Sequence, residues 1–231
     1  LFRSLEEEIS FVLNTARQYL SKKPTREDVK SVFAGLRPLA APKDGSKSTK
    51  EVSRSHKVVT SDTGLISIIG GKWTTYRKMA EDTVNEAMKV HRLGNTPSKT
   101  EHLSIHGNVK PEQVDRTNHL YVYGADIPEI KKLQQNNPEL SEKIHPDHPF
   151  TMAEAVWAIR SEMAQTIEDI LARRVRLLFL DARAAIDSAH KIAQIIVKEN
   201  GHSAEWADEQ EREFIELAKG YLLTPYSPRS I

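Results

Sequence analysis

Gly70-Gly71-Lys72, followed by Trp73, Thr74 and Thr75, is the stretch whose residue types and spacing best suit chemistry. Adjacent glycines permit positive φ and let a backbone come close to a ligand, because no Cβ intervenes. Lys72 adds a full positive charge, and the two threonines add hydroxyls. The combination suits an electron-rich or anionic group. It also suits a tight strand-to-helix connection that binds nothing, and both readings stay open on the residues alone. The stretch is not a dinucleotide fingerprint, since only two glycines are present, and not a P-loop, since no earlier glycine stands at the required spacing before Gly71-Lys72.

Other chemistry-bearing types are weaker candidates. Arg37, in Gly35-Leu36-Arg37-Pro38-Leu39, carries a planar fork that matches a phosphate with two parallel hydrogen bonds. An ion pair at a strand end is the competing reading. His145-Pro146-Asp147-His148-Pro149 holds metal-ligand types, but the prolines make it a rigid turn and no further ligand cluster supports a metal. Glu162, Glu168 and Asp169 lie among Arg160, Arg173 and Arg174 at helical spacing, which favours structural ion pairs over acid–base work. His56 reads as an ordinary strand or loop histidine. No catalytic residue and no metal ligand is assigned.

The elements that must position these residues follow from periodicity. Leu65, Ile66, Ile68 and Ile69 form an apolar β-branched run that predicts a buried strand, paired through the Ser61–Gly64 turn with Val58–Thr60 as a hairpin. Tyr76, Met79, Ala80, Thr83, Val84, Ala87 and Met88 recur at helical spacing, with Gly94-Asn95 as the stop. The N-terminal N–H groups and the positive dipole end of that helix would then point where the glycines expose the backbone. Upstream, Leu5 to Leu20 predicts a helix, Thr25 with Asp28 a capped turn, Ser31–Ala34 a strand, and residues 40–50 a mobile loop. Residues 96–104 read as a linker. Beyond it come short helices over 110–121 and 128–133. A strong helix starts at Thr151 with Glu154 in the capping box, and its face is Val156, Ile159, Met163, Ile167, Ile170 and Leu171. An alanine-rich helix to Glu199 and a last helix capped by Ser203 complete the set, before a loose tail from Thr224.

Composition sets limits. The 231 residues, 39% hydrophobic, suffice for one or two packed domains. A net charge of +1 gives no reason to expect nucleic acid, and the lack of cysteine removes disulfide and thiol chemistry. No apolar run approaches the roughly 20 residues of a membrane span. The first residue is Leu1 and no signal peptide is visible, which fits a piece of something longer.

The wording of Gly70 to Asp82, GGKWTTYRKMAED, closely resembles a signature of the FAD-dependent (aerobic-type) glycerol-3-phosphate dehydrogenases and the α-glycerophosphate oxidases. Gly35, Arg37, Pro38 and Leu39 match that family's G-x-R-P-L, and Arg160 to Arg174 matches its R-x-E-x-A-x-T-x-E-D-x-L-x-R-R. The resemblance runs along nearly the whole chain and covers only the C-terminal part of such an enzyme. It implies an α+β remnant of the flavin/substrate domain over 1–95, followed by a mostly α-helical C-terminal domain over 96–231. It implies that Gly70, Gly71, Lys72, Trp73 and Thr74 lie at the flavin ring, with Lys72 also beside the substrate. Arg37 would reach the substrate, and Arg54 stands where the family has a further pocket arginine, although the words around it are less specific. The implied reaction moves a hydride from C2 of glycerol 3-phosphate to FAD, giving dihydroxyacetone phosphate. Quinone or oxygen is the implied electron acceptor, and the implied location is cytoplasmic or peripheral on the inner face of the membrane.

The family's G-x-G-x-x-G turn and a histidine near the flavin lie upstream of anything in this sequence. The chain alone is therefore expected to hold no FAD and show no activity without the missing N-terminal FAD-binding part, and to pair, if at all, as a homodimer. The alternatives are a stand-alone helical protein-interaction module, and a phosphate-binding domain without redox chemistry that rests on Arg37 and Lys72.

Overall fold

The computed structural model describes residues 4–35 and 55–223. The chain divides into two compact units, Leu1–Ala34 with His106–Ile231, and Gly35–Ile105. In this clustering the residues before Gly35 group with the C-terminal helices. The segment before Gly35 forms no ladder, so the strand expected over Ser31–Ala34 is absent. Its polar groups are used on helical partners instead. The Val32 N–H donates to Tyr221 O (2.8 Å), the Ser31 hydroxyl to Leu178 O (2.8 Å), and Lys30 to Asp181 (2.8 Å). Phe33 packs edge-on to Phe179 at 4.9 Å.

In the smaller unit, β1 (Lys57–Thr60) and β2 (Ile66–Ile69) pair antiparallel with Lys57 opposite Ile69 and Thr60 opposite Ile66. The turn is closed by Gly64 N–H to Ser61 O and by Leu65 N–H to the Ser61 hydroxyl. Then come a 3₁₀ turn, Trp73–Thr75, and α2 (Tyr76–Val90), which packs on both strands; α1 belongs to the other unit. The strand after the hairpin turn is present but not buried as expected: Leu65 is 66% exposed and Ile69 42%. Two strands and one helix can cover only one face of so small a sheet.

The larger unit holds the core. Its elements are α1 (Glu6–Tyr19), α3 (Ile127–Asn136), α4 (Met152–Ser161), α5 (Leu177–Leu180), α6 (Ala182–Asn200) and α7 (Ala204–Lys219). α6 is central. Its apolar face, Ala182, Ala185, Ile186, Ala189, Ile192, Ala193 and Ile196, is buried throughout, and its small residues let α7 lie close through Ala207, Phe214 and Ala218. All three predicted caps form, the Ser203 hydroxyl accepting the Trp206 N–H at 3.3 Å. Asp28 accepts the Thr25 N–H (2.8 Å), and Glu154 accepts the Thr151 N–H (2.7 Å).

The single helix expected from Thr151 through Arg174 is broken. α4 stops at Ser161, and Met163 has φ of 57° and lies 81% exposed, while Val156, Ile159, Ile167, Ile170 and Leu171 are buried as expected. The break has a local cause. Asp169 accepts the Gln165 and Thr166 N–H groups (3.0 and 3.1 Å), and the Thr166 hydroxyl accepts the Asp169 N–H (3.1 Å). That is a second capping box, and it restarts the helix as a π-turn, Asp169–Arg174. The helix expected over 110–121 is likewise only a 3₁₀ turn at Pro111–Gln113 and another at His119–Asp126. Among the described residues, no helix is long and apolar enough to cross a membrane.

Candidate functional site

The glycine turn has the conformation that its residues require. Gly70 and Gly71 have φ of 74° and 93°. Gly71 is also a place of close approach. A Cβ there would sit 2.6 Å from both Sδ and Cε of Met79 and 3.2 Å from the His56 Cβ. The backbone is thus packed from behind by α2 and the start of β1. Lys72 follows in extended conformation, and its carbonyl accepts the N–H and the hydroxyl of Thr75, each at 3.0 Å. The Thr75 hydroxyl is therefore spent on the turn, and Thr74 remains exposed. α2 itself begins only at Tyr76, so the N–H groups nearest the glycines belong to the 3₁₀ turn rather than to the α-helix. Trp73 is 87% exposed and stacks on Tyr76, 5.7 Å between ring centroids.

The three cations of this stretch are used differently. Arg77 pairs with Glu81 (2.5 Å), and Lys78 with Glu81 (2.6 Å) and Asp82 (3.0 Å). Lys78 and then Arg77 hold the Glu81 carboxyl below its ordinary range, and Lys78 and then His56 do the same for Asp82. The exposed Lys72 has no hydrogen bond or ion pair among the described residues. A cation that pairs with no other described residue, beside a backbone left bare at Gly70 and Gly71, suits an anionic or electron-rich ligand. The open cleft lined by Glu81, Asn85, Lys89 and Glu101 contains none of these residues and carries both signs of charge.

Arg37 and Arg54 lie outside the described residues. The carboxylates near Arg160 are ion-paired. Arg160 forks onto Glu199 (2.5 and 2.8 Å), Arg173 bonds Glu168 and Asp169 (2.6 and 3.0 Å), and Arg174 donates to the Glu162 carbonyl. Burial raises the Glu162 carboxyl above its ordinary range, against the pull of Arg174. His145 and His148 sit by α6, where His148 Nε2 lies 3.3 Å from Asp181, and no group of three metal-ligand types is assembled among the described residues. Sequence reasoning missed the tie between His56 and Asp82, 2.9 Å apart, because 26 residues separate them and neither stands in a recognisable spacing.

Residues 61–210 match the family described as the C-terminal domain of alpha-glycerophosphate oxidase. The mitochondrial glycerol-3-phosphate dehydrogenase of Rattus norvegicus is 35% identical over 243 residues, covering 94% of this chain and 32% of the rat protein. That of Homo sapiens is 36% identical over 238 residues, with the same coverage. The chain thus spans about a third of the length of these curated relatives. The X-ray structure of the glycerol-3-phosphate dehydrogenase from Bacillus halodurans complexed with FAD superposes with a TM-score of 0.73 at 23% identity, covering 100% of this chain and 48% of that one. The fold is shared with that protein.

Proposed function

The chain belongs to the family of the C-terminal domain of alpha-glycerophosphate oxidase, and from that premise we propose that it supplies one wall of an FAD site that oxidises sn-glycerol 3-phosphate to dihydroxyacetone phosphate. The observation that carries the proposal is that Lys72, which has no ion pair or hydrogen bond among the described residues, stands on a glycine turn that admits no Cβ at Gly71. FAD, when bound, accepts the hydride from C2 of the substrate. The chain's own residues bind and orient. The Gly70–Thr74 backbone, with Trp73, offers a flat edge to the flavin ring. The Lys72 ammonium attracts the substrate's charge and polarises its oxygen. Arg37 and Arg54 hold the phosphate or hydroxyls by charge-assisted hydrogen bonds. The adenine dinucleotide would be held by an FAD-binding part outside these 231 residues, with which this chain would work. The acceptor is quinone for a dehydrogenase lying against the inner membrane face, or oxygen for an oxidase. Release of hydrogen peroxide by the full-length protein separates the two.

In the full-length flavoenzyme, Arg37→Ala removes a charged hydrogen-bonding group and should raise KM for glycerol 3-phosphate by about 10- to 100-fold. An unchanged kcat/KM would sink the assignment.

A further inference from the structure

We propose that His56, through its hydrogen bond to Asp82, is a positioning residue that fixes the Gly71–Lys72 backbone. The inference rests on the reading of that turn as a flavin and substrate wall. Three observations carry it. First, the hairpin register places Lys57 opposite Ile69, so His56 stands beside Gly70-Gly71, where the chain leaves the sheet. Second, a Cβ at position 71 would sit 3.2 Å from the His56 Cβ and 2.6 Å from Met79 Sδ and Cε. Both residues therefore pack close to the turn. Third, the imidazole is not loose. Its Nε2 is 2.9 Å from the Asp82 carboxylate on α2, which is itself held by Lys78 at 3.0 Å. A carboxylate only accepts, so Nε2 carries the hydrogen.

Side-chain hydrogen bonds join the hairpin to α2 at both ends: Thr60 to Glu86 at 3.3 Å near the hairpin turn, and His56 to Asp82 at the glycine end. The second spans the glycine turn. The glycines supply no side chain of their own, and Lys72 has no anchoring partner among the described residues, so the turn depends on what packs behind it. A wall that must hold a lysine nitrogen within a fraction of an ångström of its target needs such a latch.

The test uses His56→Ala, His56→Gln and Asp82→Asn. In the 231-residue chain, backbone ¹⁵N order parameters at Gly70, Gly71 and Lys72 should fall from about 0.85 toward 0.6 or below in His56→Ala, while Val59 and Ser67 keep their values. His56→Gln, whose amide can still donate to Asp82, should restore them, and Asp82→Asn should fall between. Unchanged values at the turn in His56→Ala would overturn the latch. So would loosening that spreads equally through Val59 and Ser67, which is the mark of a merely structural role.

In the full-length flavoenzyme, His56→Ala should retain bound FAD, lose about 10- to 100-fold in kcat and shift KM for glycerol 3-phosphate by under about threefold, with recovery in His56→Gln. Local loosening without any kinetic loss would leave the latch standing. It would overturn both the positioning role and the reading that the turn faces the flavin.

Discussion

Gly71→Ala puts the geometry of the glycine turn to a direct test. The φ of 93° lies beyond the left-handed helical well, where an L-residue pays about 1–3 kcal/mol. The new methyl would also meet Met79 Sδ and Cε at 2.6 Å and His56 Cβ at 3.2 Å. Met79 yields at the end of a flexible side chain, for about 0.5–1.5 kcal/mol of rotamer strain. His56 Cβ is fixed to the backbone and must be pushed away, together with its bond to Asp82. The two figures add to about 1.5–4.5 kcal/mol, before any displacement of His56. That is a large penalty for a unit with no fully buried apolar side chain among its described residues. Amide exchange should then accelerate at the hairpin, over 57–60 and 66–69, while α6 stays protected. Gly71→Ala/Met79→Ala should recover about 1 kcal/mol, since the space behind the turn is reopened. Hairpin amides that exchange at wild-type rates in Gly71→Ala would refute the packing argument. A double variant no better than the single one would refute the assignment of the clash to Met79.

Two further outcomes concern the helical unit. Glu154, 1% exposed, accepts from the Thr151 N–H and hydroxyl (2.7 and 3.2 Å), His119 Nε2 (3.0 Å) and the Tyr123 hydroxyl (3.4 Å). Burial and then this carboxylate push the Tyr123 phenol up, so it remains a donor. Glu154→Ala should therefore cost about 3–5 kcal/mol in urea unfolding with the m-value unchanged, and a loss under about 1 kcal/mol would contradict the network. Asp181 caps α6 at the Ala184 N–H (3.2 Å). Burial opposes its ionisation, but Lys30, the Ala184 amide and His148 overcome it and hold its carboxyl below the ordinary range. A depressed folded pKa gives stability that is fully present above the unfolded value near pH 4 and is lost as pH falls through the folded one. Asp181→Asn should accordingly flatten the acid limb of the stability curve below about pH 4, and an unchanged limb would remove Asp181 from the account.

Much of this was legible along the chain. The face of α6 could be read because its alanines and isoleucines keep one helical period from Ala182 to Ile196, and the Thr151/Glu154 box because both partners stand three residues apart. The break at Met163 was signalled by the Thr166-x-x-Asp169 box, but the apolar period runs through it and hides it. Ser31–Ala34 looked like a strand because an apolar run does not say whether its backbone partners are strands or, as here, Tyr221 and the ends of helices. At the site, the positive φ of Gly70 and Gly71 followed from residue type, whereas the lack of a Lys72 partner among the described residues depended on where Arg77 and Lys78 found carboxylates. The His56–Asp82 tie needed the hairpin register, which is a three-dimensional fact.

The central claim, that the Gly70–Lys72 turn faces flavin and substrate, is tested most directly by anaerobic reduction of the full-length flavoenzyme with glycerol 3-phosphate, comparing wild type with Lys72→Ala. Lys72 is exposed and has no internal partner among the described residues, so its removal should leave the fold and the bound FAD intact. Bleaching of the flavin band by subsaturating substrate should then slow by about 100-fold, the loss expected for one charged contact made in the transition state. Bleaching at the wild-type rate, with FAD bound stoichiometrically in both, would contradict the claim.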